Sequence, residues 1–171
     1  MKKLYFLFCV FILVLIGIPA VSAKAYGWGF KRNDEHWQPD IGIYAQEIAG
    51  TSSYYVGPAN EKVVYLTFDA GYDNGVLPKI LDCLAEKNVQ STFFVTGDFL
   101  TREKCLLLRM VYEGHTIGNH SWSHRDITTL DESALERELH QVEEAYTNLT
   151  GLKMKKLFRP PAGQFNRDSL M

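Results

Sequence analysis

Two histidines four positions apart, in His120-Ser121-Trp122-Ser123-His124, are the residues of this chain whose type and spacing most directly suggest chemistry. On a helical turn that spacing puts both imidazoles on one face, within reach of one metal ion. Two neutral imidazoles suit Zn²⁺ and, less selectively, Co²⁺ or Ni²⁺. The spacing matches the zinc-protease motif HExxH, but Ser121 stands where the catalytic Glu would be, so that chemistry is not indicated. The competing reading is a pair of surface or hydrogen-bonding histidines. Asp69 ends an apolar stretch beside Gly71. A carboxylate there can act as metal ligand or as general base toward metal-bound water, or simply form an Asp-Ala-Gly corner. Arg159 opens the rigid segment Arg159-Pro160-Pro161-Ala162-Gly163. Its guanidinium can orient a carboxylate bidentately, or make a surface salt bridge. His36, His115 and His140 show no comparable pairing and read as structural or solvent-facing.

The elements that must position these groups follow from hydrophobic period. Val63-Val64-Tyr65-Leu66-Thr67-Phe68 reads as a buried strand ended by Asp69-Ala70-Gly71. Leu77, Ile80, Leu81 and Leu84 have helical spacing, with Pro78 in the first turn. Ser91 to Val95 is a second strand, stopped by Gly97. Leu106, Leu107, Met110 and Val111 mark a second helix, with Thr101 as candidate cap and Gly114 as stop. Thr116 to Asn119 is a short third strand. A third helix carries the stripe Leu135, Leu139, Val142, Tyr146 and Leu149, with Thr129 and Glu132 as a capping box and Gly151 at its end. Leu157-Phe158-Arg159 is a fourth short strand, and Asn166 caps the start of a fourth helix.

The order βαβαβαβ implies a parallel sheet, either a barrel or a doubly wound layer. Asp69 follows the first strand, the histidine pair follows the third, and Arg159 ends the fourth. In parallel α/β folds the C-terminal strand ends share one side, and sites are built there. Three polar clusters at that shared position are the strongest argument that the residues themselves make for a site.

The composition frames this site in an ordinary globular chain of 171 residues, 46% hydrophobic and 22% charged. A net charge of −2 gives no pull toward nucleic acid. At the N-terminus, Lys2 and Lys3 precede an apolar run from Leu4 to Ile18, then Pro19 and Val21-Ser22-Ala23. This reads as a secretory signal over 1–23, cleaved after Ala23, with an uncleaved anchor as the rival. Its removal takes Lys2 and Lys3 from the 18 basic residues and nothing from the 20 acidic ones, so the net charge moves from −2 to −4. Cys83 and Cys105 would then remain; lying among apolar helix positions, they read as two small buried side chains and not as a disulfide framework. Residues 24–60 are rich in aromatics without clear period, among them Tyr26, Trp28, Trp37, Tyr44, Tyr54 and Tyr55. They read as a segment wrapping the core, with rings that stack on sugars as the sharper alternative.

Taken together, these residues resemble the polysaccharide deacetylase family, also called the NodB-homology domain or carbohydrate esterase family 4. Thr67-Phe68-Asp69-Ala70-Gly71-Tyr72 is similar to its first motif, TFDDG; His120-Ser-Trp-Ser-His124 to its second, H[ST]xxH; and Arg159-Pro-Pro-Ala-Gly163 to its third, RxPxG. Ser91-Thr-Phe-Phe94 between them also fits. Trp28-Gly-Phe-Lys-Arg32, the variant TFDxGY(D/E)NG at 67–75 and Gly114-His-Thr-Ile-Gly-Asn-His120 look most like the delta-lactam-biosynthetic de-N-acetylases of spore formers.

The resemblance implies a distorted (β/α) barrel and hydrolysis of N-acetyl groups. It implies Asp69 as catalytic base, Arg159 as the residue that positions Asp69, and His120 and His124 as ligands of a divalent metal, Zn²⁺ first with Co²⁺, Ni²⁺ or Mn²⁺ as alternatives. The expected substrate is an N-acetylated glycan of the cell wall. N-acetylmuramic acid of peptidoglycan, en route to the lactam of spore cortex, comes first; N-acetylglucosamine in peptidoglycan or chitin-like glycan is the alternative. An exported monomer is expected, in contact with membrane only through its signal segment and not with nucleic acid. Two departures stand out. Ala70 occupies the place of the family's third metal ligand, an Asp, which the delta-lactam group also often lacks. The family's later motifs, including a general-acid His, have no counterpart before Met171, and residues 61–171 fall well short of the ~250 of a complete barrel. The expectation is therefore a C-terminally truncated domain of about four β/α units, weak or inactive in catalysis, with glycan binding alone as a further alternative.

Overall fold

The described residues open with a two-residue strand, β1 (Tyr26–Gly27), and a short helix, α1 (Tyr44–Ile48). The computed structural model describes residues 24–29, 31–32, 34–35 and 37–171, so the export signal read in 1–23 and the reading of His36 lie outside the described residues. Strands and helices then alternate: β2 (Thr67–Ala70), α2 (Leu77–Glu86), β3 (Thr92–Val95), α3 (Gly97–Arg102), α4 (Lys104–Tyr112), β4 (Thr116–Asn119) and α5 (Glu132–Thr150). The described chain closes with β5 (Gln164–Phe165) and α6 (Arg167–Leu170). Among the described residues no helix is long and apolar enough to cross a membrane.

β2, β3 and β4 form a parallel sheet in chain order, with Thr67, Thr92 and Thr116 level across it. Leu157–Arg159, expected as a fourth strand, contributes one parallel bridge, Asn119 to Phe158. Asn119 N–H donates to Leu157 O (2.8 Å), and Arg159 N–H donates to Asn119 O (3.0 Å). That single bridge suffices to bring Arg159 beside the strand ends.

The first strand is shorter than its sequence suggests. Only Thr67 onward joins the ladder, and Val63–Leu66 are exposed, Val64 by 83%. β3 begins at Thr92, whose N–H reaches Leu66 O (3.1 Å), so β3 offers no partner to Val63–Tyr65. β-branched residues favour a strand because they fit a half-buried pleated surface, and that surface ends at Leu66.

In α2, Leu77, Leu81 and Leu84 turn inward at helical spacing, and Pro78 sits in the first turn as expected. The expected second helix is two. α3 is capped by Thr96, whose Oγ1 accepts from Phe99 N–H (3.3 Å), and α4 follows after Glu103. Thr101 is no cap. It lies within α3, where its hydroxyl donates to Gly97 O (2.7 Å), while Thr96 is extended and so free to cap. Likewise Asp131, not the Thr129–Glu132 box, caps α5, accepting from Ala134 N–H at 2.7 Å. Gly151 ends α5 in the left-handed conformation, as expected.

The core gathers Leu81, Phe93, Val95, Phe99, Leu107, Met110 and Val142, all fully buried, between the sheet and α2, α4 and α5. Burying each such side chain stabilises the fold by about 1.5–3 kcal/mol. Cys83 and Cys105 are not in it. Both are exposed and unpaired, on the outer faces of α2 and α4, which corrects their reading as buried. The N-terminal segment packs elsewhere: β1 pairs antiparallel with β5, and Tyr26, Trp28 and Tyr44 surround Phe165.

Candidate active site

Asp69 lies on β2 in register with Phe94 of β3 and Gly118 of β4. A side chain at Gly118 would meet the Phe94 ring at 2.7 Å, so the bare glycine lets that ring lie against the strand. The Arg159 guanidinium sits over the same ring, 4.3 Å from its centroid. From there its Nη1 donates to Asp69 Oδ1 (2.8 Å) and its Nη2 to the Thr67 hydroxyl (2.7 Å). Thr67 and Asp69 are two residues apart on one strand and so share a face. One planar fork therefore fixes the carboxylate's orientation and leaves Oδ2 turned away from Arg159.

His120 follows β4 and is buried, whereas His124 is exposed at the end of the same loop. The His120 Nδ1 lies 2.7 Å from Arg159 O. A carbonyl can only accept, so Nδ1 carries the proton and Nε2 keeps its lone pair. Nε2 faces Asp69 Oδ2 at 3.9 Å, too far for a hydrogen bond. Burial pushes the His120 pKa below the ordinary imidazole value, outweighing the opposing pull of the Arg159 carbonyl and of Asp69. The ring is thus held neutral, as a metal ligand must be. The His124 ring stands nearly perpendicular to it, centroids 5.0 Å apart.

The expected helical turn carrying the pair is instead a bent loop. Ser121 and His124 both have left-handed backbones, with φ of 63° and 54°. Four attachments hold the loop. Asn119 Oδ1 accepts from Ser121 N–H (2.9 Å), and Ser121 Oγ from His124 N–H (3.1 Å). Gly97 N–H donates to the Ser121 and Trp122 carbonyls, and any side chain at Gly97 would collide with the Trp122 indole at 2.4 Å. Glu138 accepts from both Ser123 N–H (2.7 Å) and Ser123 Oγ (2.6 Å).

A cleft of about 590 Å³ opens over this loop, lined among others by Asp69, Tyr72, Asn74, His120, Trp122 and His124. The structure therefore brings Asp69, Arg159, His120 and His124 together. His115 is excluded: it is buried at the opposite end of the sheet, where Nδ1 accepts from Ser91 N–H (3.2 Å). His140 is exposed on α5. The Ala70 methyl is buried in the core. Among the described residues no three His, Cys, Asp or Glu side chains gather as a metal-holding group. Two imidazoles, one with its tautomer fixed by a backbone carbonyl, nonetheless fit an open divalent site whose remaining positions go to water or substrate. Sequence reasoning missed Phe94, Asn119 and Glu138. Thr67 was legible, since the period of two puts it on the face of Asp69.

The polysaccharide deacetylase family profile matches residues 56–171. The chain is 43% identical over 148 residues to the peptidoglycan-N-acetylmuramic acid deacetylase PdaA of Bacillus subtilis, covering 86% of this chain and 56% of that protein. The solved structure of B. subtilis PdaA, a family 4 carbohydrate esterase, superposes with a TM-score of 0.83 at 42% identity, covering 86% of this chain and 63% of that one. A family 4 carbohydrate esterase from Bacillus anthracis gives 0.77 at 43% identity, covering 86% and 67%. A peptidoglycan-N-acetylglucosamine deacetylase of Bacillus cereus is 37% identical over 116 residues, 68% of this chain and 42% of that protein. The chain thus spans about half the length of the curated relatives it matches. With residues of two motifs lining one cleft on a parallel sheet, the third motif's Arg159 bonded to Asp69, and a profile match over most of its length, the chain belongs to the polysaccharide deacetylase family, the NodB-homology group of carbohydrate esterase family 4.

Proposed function

We propose that this chain acts as a metal-dependent polysaccharide deacetylase that hydrolyses the N-acetyl groups of peptidoglycan. The observation that carries the reading is the meeting of Asp69, His120 and His124 in one cleft at the C-terminal strand ends, with Arg159 bonded to Asp69 from beside it. Asp69 takes a proton from the attacking water at Oδ2, the oxygen that Arg159 leaves uncovered. Arg159 keeps the carboxylate aimed, itself steadied by Thr67 and Phe94. His120 Nε2 and His124 would hold the divalent ion, Zn²⁺ before Co²⁺, Ni²⁺ or Mn²⁺, which supplies Lewis-acid polarisation of the acetyl carbonyl.

The 43% identity to an N-acetylmuramic acid deacetylase supports muramic acid as the sugar, with the free amine going on to the δ-lactam of spore cortex. The B. cereus relative supports N-acetylglucosamine as the second reading. A substrate in the cell wall supports export, the family match over 56–171 supports a deacetylase domain over 61–171, and the chain-order parallel sheet supports barrel-type winding; the monomer remains part of the proposal. The test is acetate release from peptide-free glycan strands with and without muramic acid. Asp69→Asn keeps the shape and removes proton acceptance, so release should fall roughly 10²–10⁴-fold. Near-native release by that variant would reject the role, and equal release from both strands would reject muramic specificity.

A further inference from the structure

Two consecutive residues of α5 hold the two residues that precede the histidines. Leu139 O accepts from Asn119 Nδ2 (2.9 Å), and Asn119 leads directly into His120. Glu138 receives both the N–H and the hydroxyl of Ser123, which leads directly into His124. We infer that Glu138 is a positioning residue for the metal-binding pair, setting where the His124 ring stands relative to His120; this rests on reading the pair as metal ligands.

The geometry supports a specific task for the carboxylate. Ser121 and His124 hold left-handed backbones, which residues with a Cβ adopt only when their surroundings impose it. Asn119 and Gly97 secure the first half of the loop, through Ser121 and Trp122. In the second half, Ser121 Oγ reaches the His124 N–H at 3.1 Å, and the Glu138 pair reaches Ser123 at 2.6 and 2.7 Å. A carboxylate accepting two short bonds from one residue fixes direction as well as distance. Glu138 is not among the residues lining the cleft and meets it through Ser123, which is. His120 needs no such help, since its ring is buried and tied to the Arg159 carbonyl. His124 is exposed, and its place depends on the backbone beneath it.

The test titrates Co²⁺ into the full chain and follows the visible absorption of the bound ion, comparing native protein with Glu138→Ala, Glu138→Gln and Ser123→Ala. Glu138→Ala should weaken Co²⁺ binding roughly 10- to 100-fold and change the spectrum, the range found when a residue supporting a ligand is lost. Glu138→Gln keeps one acceptor oxygen and should restore most of the affinity. Ser123→Ala removes only the hydroxyl bond, should lose less, and gives a reading should Glu138→Ala not fold. A purely structural role would lower the melting temperature and leave affinity and spectrum native. Native affinity and spectrum in folded Glu138→Ala, or in Ser123→Ala if it alone folds, would overturn the inference. A native chain that takes up no Co²⁺, or a His120→Ala/His124→Ala variant that takes up as much, would instead overturn the metal-pair reading and the clamp's purpose with it.

Discussion

His120 shows how one backbone carbonyl decides a side chain's chemistry. Arg159 O accepts a hydrogen bond from Nδ1–H, burial disfavours the charged ring, and an unprotonated Nε2 is left facing Asp69. The pH consequence follows from the sign of the shift. With the folded pKa below the ordinary 6.5, the unfolded chain binds this proton first on acidification. The His120 contribution to stability is therefore present above pH 6.5 and lost as pH falls through the lower folded value. In metal-free protein, the urea midpoint of the native chain should drop between about pH 7.5 and about pH 5.5 by more than that of His120→Gln. Parallel curves would refute this. The candidate site residues that the structure brings together were legible from type and spacing. Those that hold them were not, because Phe94, Asn119 and Glu138 have no special type or period and act only through contacts between distant parts of the chain.

Among the elements, regular helices and buried strands could be read because their period is written along the chain. The ends could not. Thr129 and Asp131 are both N-cap residue types, and the extended backbone at Asp131, with its bond from Ala134 N–H, decides between them. The exposure of Val63–Leu66 likewise depends on where β3 begins, which no local pattern states. β4 carries a requirement that local propensity hides. Gly118 weakens a strand by propensity, yet it is the position over which Phe94 lies and on which Arg159 in turn rests. A methyl there meets the ring at 2.7 Å and Leu157 O at 3.2 Å. Gly118→Ala should cost about 1–3 kcal/mol by overpacking. It should also cut acetate release by more than that instability explains, because the displaced ring carries the guanidinium that aims Asp69. Lower melting temperature with native turnover per folded molecule would show that Phe94 does not steady Arg159.

At the scale of the whole molecule, the N-terminal segment and the residues after Arg159 hold each other. β1 pairs with β5, Trp28 N–H donates to Gly163 O (2.7 Å), and Arg167 reaches three carbonyls at the end of α1, those of Gln46, Glu47 and Ala49. Phe165 is the hub: it is buried and meets Tyr26, Trp28 and Tyr44 with ring centroids 5.8–6.5 Å apart. None of these residues belongs to the core cluster beneath the sheet, so the rings form a second, separate packing unit. Truncating a buried Phe to Ala typically costs about 3–5 kcal/mol. That is comparable with what holds a small subunit of structure against local opening. Phe165→Ala should therefore undock the N-terminal segment while the sheet and α2–α5 stay folded. Trypsin should cut faster at Lys31, Arg32 and Lys62, with the far-UV signal of the remaining helices and their melt little changed. Release of the 160–165 stretch would loosen Arg159 as well, so acetate release should fall although Phe165 is not among the cleft-lining residues. A single cooperative melt shifted downward as a whole, with no early cleavage, would mean instead that the two packing units fold as one.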